Sequence, residues 1–368
     1  MHVRVRILLE LKSPNSFPAV PDGVGLEPVV WGYDEELLQA EALGLDLEAD
    51  SLFRYSEKIC LVQITDGQRG VLVDPLAEDL TELAQRLLAR PLWMHGADYD
   101  MALMRRDWGG VPIKIWDTQI GARLVGCRKF GYANLVEEFF GVVLSKGSQK
   151  ADWGKRPLPD QMAQYALNDV KYLIPLAEKI QKRLRECGRF EWFEESCDWE
   201  RERALEREET KVDAWRIKGS GKFDRKTLAY LKAIWSWREG EASKWDRPSF
   251  MVSGNKDLLN WSLAGAADQR LQIPKGMRPD RRRRLLETVD KVADQTEEDW
   301  PEKIRAPRRV RDREREKLVE LLLAKREQKA GELELEPAVL GSRASFEAHV
   351  AGDSSRLMSW QKSVMELS

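Results

Sequence analysis

The chain has 368 residues, 42% hydrophobic and 33% charged, with 60 basic against 62 acidic side chains and a net charge of −2. That length allows two or three domains with real cores, and no run approaches the 18 apolar residues of a membrane span, so no membrane segment is expected. The near-balance hides an asymmetry: residues 1–100 carry 8 Lys and Arg against 18 Asp and Glu, net −10, whereas residues 212–329 carry 29 against 20, net +9. An acidic front suits a cation and a basic rear suits a polyanion.

Cys60, Cys127, Cys187 and Cys197 form no Cys-x-x-Cys and stand near no histidine pair. A zinc site or disulfide framework is not expected, and a reducing cytoplasm fits. The run from Met1 to Leu9 is too short and too interrupted by charge for a signal peptide.

Residues 1–30 hold four prolines after Lys12 and read as an irregular N-terminal extension. Asp34 to Ala42 is a short helix candidate. Strand-like runs follow at Ala42–Leu47, Ile59–Thr65, Gly70–Val73 and Leu92–His95, with Asp66-Gly67 as a hairpin turn between the second and third. Helical periodicity takes over at Leu80–Leu88, and Asp98–Trp108 is helical again. Strands followed by alternating helices predict an α/β domain. A helix is predicted over Gln161–Leu184, with Met162, Tyr165, Ala166, Asp169, Tyr172 and Leu173 on one stripe. Residues 188–211 read as a charged linking helix. Helices are then predicted at Arg225–Glu239, Asp257–Leu263 and Asp280–Val292, with a stop at Pro248. A last helical unit covers about 312–368, with Leu318, Leu321 and Leu322 in its first helix.

Three stretches carry chemistry. In Leu43-Gly44-Leu45-Asp46-Leu47-Glu48-Ala49-Asp50 an apolar strand ends in Asp-x-Glu, and strand residues i and i+2 share a face. Asp46 and Glu48 therefore sit side by side, which is unfavourable unless they face water or a cation. Asp50 joins that face only if the strand continues so far. His95-Gly96-Ala97-Asp98-Tyr99-Asp100 follows a strand and opens a helix. Tyr165-Ala166-Leu167-Asn168-Asp169 puts a tyrosine and an aspartate one turn apart on a helix face. Each alone is more readily structural; their order together is informative.

That order resembles the DEDD exonuclease superfamily, in the subgroup with tyrosine in the third motif, and within it the ribonuclease D family. Lys58-Ile59-Cys60-Leu61-Val62-Gln63-Ile64, Asp74-Pro75-Leu76, His95, Asp117-Thr118-Gln119, and Lys146 to Trp153 with Arg156-Pro157-Leu158 are similar to the family's corresponding stretches. Gly96 departs from the asparagine common in the second motif. Ala214-Trp215-Arg216-Ile217-Lys218-Gly219, the helix after it and Asp246-Arg247-Pro248 resemble an HRDC domain. Residues Glu336 to Arg343 resemble a second, weaker copy.

The resemblance implies a ribonuclease H-like mixed-sheet exonuclease domain (α/β) followed by one or two small all-α bundles. The divisions are an extension at 1–30, the exonuclease domain at 31–187, a linker at 188–211, an HRDC domain at 212–300 and an HRDC-like unit at 301–368. It further implies two divalent cations, Mg²⁺ or Mn²⁺, held by Asp46, Glu48, Asp100 and Asp169, with Tyr165 orienting the attacking water. His95, Gln63, Lys146, Gln149 and Arg156 are the expected substrate contacts, and Asp117 is expected to be structural. Arg281, Arg282, Arg283 and Arg284 open a helix whose dipole disfavours them unless an anion binds, which makes them a candidate nucleic-acid contact. Trp235, Trp237, Trp245 and Trp261 stack bases or fill a core. The implied activity is a 3′–5′ exoribonuclease releasing 5′-mononucleotides, in tRNA 3′ maturation and stable RNA processing. The expected partners are tRNA precursors, and the protein is expected to be a cytoplasmic monomer. A DNA 3′–5′ exonuclease and a non-catalytic RNA-binding scaffold are the competing readings; a lost acid would signal the latter, and all four acids and the tyrosine are present.

Overall fold

Alternation in one strand sets the centre of the fold. In β1 (Gly44–Ala49), Leu45 and Leu47 are buried on one face, and Asp46 and Glu48 point to the other. The computed structural model describes residues 29–145, 147–207, 213–304 and 312–367. Its sheet adds β2 (Ile59–Thr65), β3 (Gly70–Val73), β4 (Pro91–Met94) and β5 (Lys114–Asp117), in the order β3-β2-β1-β4-β5. The first three strands are antiparallel, and β4 and β5 run parallel to β1, so the sheet is mixed, as expected. The register sets Asp46 opposite Gln63 and Glu48 opposite Leu61, with a bulge after Glu48. The Asp66-Gly67 turn closes the hairpin: the Asp66 side chain accepts from the amides of Gln68 and Arg69, and Gly67 takes φ +90°.

One sheet face is covered by α1 (Glu35–Leu38), α2 (Thr81–Leu88) and α3 (Asp98–Trp108), which bury Leu83, Leu87, Met101 and Met104 with Leu45, Val62 and Ile64. The other face carries α4 (Thr118–Leu124), α5 (Tyr132–Phe140), α6 (Asp160–Lys171), α7 (Leu173–Glu186) and α8 (Phe190–Glu206). Leu61 and Leu72 of the sheet pack there with Met162, Ala163 and Ala166 of α6.

The helix predicted over Gln161–Leu184 is two helices. Pro175 has no N–H and its ring would clash with the carbonyl of residue 171, so α6 ends at Lys171 and the chain restarts. The Tyr172 amide goes instead to the Tyr132 hydroxyl at 3.0 Å. Strand β5 and helices α4 and α5, none longer than nine residues, were not expected from periodicity. Residues 188–211, expected as a linker, hold α8, which packs on β5 and buries Phe193, Ser196, Cys197 and Ala204. Residues 208–211 lie outside the described residues, as do residues 1–28 of the expected extension.

Behind this domain, α9 (Arg225–Trp245), α10 (Ser249–Val252), α11 (Asn255–Ala266) and α12 (Pro279–Ala293) form a bundle with its own core of Leu228, Leu231, Ile234, Trp237, Trp261 and Leu285. It reaches the front domain through the turn after β1: Asp246 accepts from the Tyr55 amide at 3.3 Å and pairs with Arg54, and Arg247 donates to the Phe53 carbonyl at 2.7 Å.

The last unit, α13 (Arg313–Glu332), α14 (Arg343–Val350) and α15 (Ser359–Met365), behaves differently. Ala330, Leu335, Leu340, Phe346 and Trp360 belong to the same apolar core as Ile180, Leu184 and Phe193 of the front domain. Trp360 stacks on Trp192 at 4.8 Å between ring centroids, and the Glu195 carboxylate accepts from the first amides of α15. Of the leucines named in α13, Leu318 and Leu321 are exposed and Leu322 is packed with Leu323, while Val319 is buried.

Candidate metal centre

The site lies where β1 passes under α6. Asp46 and Glu48 project from the α6 face of the sheet, and Asp169 projects from α6 toward them. Each of the three offers a carboxylate oxygen within 4.8 Å of the others. Tyr165, one turn before Asp169, shares a hydrogen bond with its carboxylate. Asp100 enters from the first turn of α3. It is buried, and its carboxylate takes a hydrogen bond from the Leu47 amide of β1. Its charge acts on both Asp46 and Glu48. The four acids and the tyrosine named from the sequence are thus brought to one place.

What aims Asp100 is the turn before it. Asp117 caps α4 by accepting from the Gln119 amide at 2.7 Å, and it also accepts from the Gly96 and Ala97 amides at 2.9 Å. One carboxylate therefore ties two helix starts together, the structural role expected of it. Gly96 takes φ +69°, and a side chain there would press on Gln119.

Burial and mutual repulsion act in one direction on this cluster. Burial, with repulsion from Asp169 and Asp100, pushes Glu48 up to about 9. Burial raises Asp100 and Asp169 to about 7 and Asp46 well above the carboxylate range. The charges acting on Asp46 and Glu48 are other carboxylates, so the group is electrostatically incomplete as a purely structural device. An all-oxygen donor set of this kind fits hard divalent ions such as Mg²⁺ or Mn²⁺. The Tyr165 phenol is also raised by burial, so it stays protonated and can orient a water by hydrogen bonding.

Sequence reasoning missed Tyr132. Its hydroxyl accepts the Tyr172 amide, its ring meets His95 edge-on at 5.4 Å, and Asp169 and Asp46 act on it. It opens α5, an element whose own signal was too short to read. Trp153 was quoted only within a longer stretch, yet it is buried against the Tyr165 ring at 6.1 Å.

The expected substrate contacts divide. Gln149 is exposed, and Lys146 lies outside the described residues. His95 is held inside: its Nδ1 sits 2.9 Å from Thr118 Oγ1, which itself donates to the Met94 carbonyl. Burial holds the ring's pKa down. Gln63 is fully buried beneath the site and cannot touch a substrate. Arg156 is wholly engaged within the fold: it donates to Asp74 at 2.6 Å and to the carbonyls of Trp153 and Cys60.

The four-arginine run is likewise mostly engaged. Arg281 and Arg284 both pair with the buried Glu241, Arg284 at 2.8 Å through Nη2, and Arg283 pairs with Glu287 at 2.8 Å. Glu241 supplies the anion that the helix start requires, so Arg281 and Arg284 are corrected to bundle-stabilising residues, while the exposed Arg283 pairs only within its own helix. Arg282 is half-buried. Trp237 and Trp261 are core, and Arg281 lies over the half-exposed Trp245 ring at 4.7 Å.

Residues 33–185 match a family model described as 3′-5′ exonuclease. Among curated proteins, the chain is 31% identical to ribonuclease D of Zymomonas mobilis over 237 residues, 62% of this chain and 60% of that protein. It is 33% identical to ribonuclease D of Sphingobium indicum over 215 residues, 56% and 54% of the two chains. Ribonuclease D of Escherichia coli is 30% identical over 230 residues, 61% of this chain and 60% of that one. The matches thus span little more than half the length of these relatives. Among solved structures, a protein from Bifidobacterium adolescentis aligns with TM-score 0.74 at 22% identity, covering 90% of this chain and 91% of that one. Escherichia coli RNase D, an exoribonuclease involved in structured RNA processing, aligns with TM-score 0.69 at 23% identity over 90% and 92% of the chains. The fold is therefore shared through the helical rear, and the resemblance to ribonuclease D first read in the sequence is borne out.

Proposed function

We propose that this chain, similar to ribonuclease D and carrying the 3′–5′ exonuclease match over its front domain, is a metal-dependent 3′–5′ exoribonuclease. The observation that carries the reading is the convergence of Asp46, Glu48 and Asp169 within 4.8 Å, with Asp100 beside them and Tyr165 bonded to Asp169. Divalent cations bound there would supply Lewis acidity for the leaving oxygen and lower the pKa of the attacking water. Asp46, Glu48 and Asp169 would hold one cation, and Asp46 with Asp100 the other. Tyr165 would donate or accept a hydrogen bond to orient the water toward the phosphorus. The product would be a 5′-mononucleotide, and the shortened strand would keep a free 3′-hydroxyl.

The rear bundle, the unit expected at 212–300, serves in this reading as an HRDC-type module that positions structured RNA, with tRNA precursors as the favoured substrates. The unpaired cysteines support action in the cytoplasm. Among the described residues, no helix is long and apolar enough to cross a membrane.

The test is release of 5′-mononucleotides from 3′-labelled RNA with Mn²⁺, and from a tRNA precursor carrying a 3′ trailer. Release that stops with EDTA and is lost in Asp46→Asn supports the proposal. Undiminished release from Asp46→Asn would overturn the carboxylate assignment. Matched DNA run in parallel separates a ribonuclease from a DNA exonuclease.

A further inference from the structure

Gln63 sits in the middle of β2, fully buried, and neither its amide oxygen nor its amide nitrogen has a hydrogen-bond partner. A buried carboxamide with no partner is destabilising, and a leucine would fill the same space without that penalty. Its strand neighbours Val62 and Ile64 point into the core on the α2–α3 face. Gln63 points the other way, with Leu61 and Leu72, under α6. The register sets it directly opposite Asp46, and Leu72 flanks it on the other strand. Side chains of directly opposed residues start about 4.5–5.5 Å apart at their Cβ atoms. The amide is therefore within reach of the Asp46 carboxylate, in the layer between the sheet and the helix that brings Asp169.

We infer that Gln63 is a positioning residue of the metal centre: its amide N–H donates to the Asp46 carboxylate when that group holds a divalent cation, and so fixes the oxygen presented to it. This deepens the exoribonuclease reading and rests on it. Gln63 acts through Asp46 and touches no nucleotide. Partners of this kind behind a ligating carboxylate orient it, and their loss weakens metal affinity by about 10–100-fold.

The experiment is titration of Mn²⁺, followed by electron paramagnetic resonance, into the cation-free full chain, into Gln63→Leu and into Asp46→Asn as a control. Gln63→Leu is expected to melt no lower than the parent without cation, and to bind Mn²⁺ about 10–100-fold more weakly. A folded Gln63→Leu that binds Mn²⁺ within twofold of the parent overturns the inference and leaves the exoribonuclease reading intact. A parent that binds no Mn²⁺ at the site lost in Asp46→Asn overturns that reading itself. Should Gln63→Leu fail to fold, the parent's side-chain amide resonances decide, with Gln63 assigned from the pair missing in Gln63→Met. Saturating Mg²⁺ is expected to shift that pair and slow its hydrogen exchange, and an unmoved pair refutes the role.

Discussion

Replacing Glu48 of the carboxylate cluster by its neutral amide should make the cation-free protein more stable while destroying its activity. Glu48 has an ordinary pKa near 4.5 and is pushed up to about 9. Below about pH 4 both folded and unfolded chains hold this proton, and the group contributes nothing. As pH rises the unfolded chain releases the proton first, so folding loses stability from about pH 4 up to about pH 9. At about pH 8 the gap from 4.5 is roughly 3.5 pK units, which at about 1.4 kcal/mol per unit sets a ceiling of about 5 kcal/mol. Water penetration and relaxation in a partly open site bring the realised value to about 2 kcal/mol. Glu48→Gln abolishes this penalty. Urea melts in EDTA should show the variant about 2 kcal/mol more stable than the parent at about pH 8 and indistinguishable from it at about pH 4. That difference corresponds to roughly 4–8 °C in melting temperature for a domain of this size. Saturating Mg²⁺ should raise the parent's stability and leave the variant nearly unmoved, and nucleotide release should fall by about 10³-fold or more. Equal pH dependence in the two proteins, together with an equal Mg²⁺ response, would refute the electrostatic reasoning.

Tyr165→Phe removes the hydroxyl bonded to Asp169 but no carboxylate; kcat should fall by about 10²-fold with Mn²⁺ affinity within a few-fold of the parent, read by steady-state kinetics and direct titration. Asp117→Ala removes the α4 cap and the two bonds to Gly96 and Ala97, and should cost about 2–4 kcal/mol in urea melts while weakening cation binding through a misplaced Asp100. Arg156→Met should lower the melting temperature, because Asp74 and the Cys60 carbonyl lose their donor, yet leave the salt dependence of the KM for RNA unchanged. A flatter salt dependence in that variant would return Arg156 to the substrate path.

The acids and Tyr165 were legible because their spacing is set by local geometry. Asp46 and Glu48 are two apart in a strand, Tyr165 and Asp169 are four apart in a helix, and side-chain periodicity fixes the face of each pair. Strands β2 and β3 and helix α3 were readable to the residue, since an apolar run ends at a turn or a glycine in each case. Long-range partners were not legible. Nothing near Arg156 in the sequence announces Asp74, and nothing near Arg281 and Arg284 announces Glu241; in both cases an apparent phosphate ligand was already balanced by an acid far along the chain. Helix α8 misled for a related reason. Its many Glu and Arg residues describe the solvent side, whereas Phe193 and Cys197 decide where it packs.

The apolar core that joins the last helices to Ile180, Leu184 and Phe193 has a consequence for how the protein is made. The clustered carboxylates leave the ribosome early, but the surface on α7 and α8 stays uncovered until α13 to α15 follow. A chain clipped or stalled before that point displays a greasy flank, which quality-control proteases and chaperones recognise. Covering of that flank of the front domain thus waits on residues synthesised long after the carboxylate cluster, so a chain cut short of them would expose Ile180, Leu184 and Phe193.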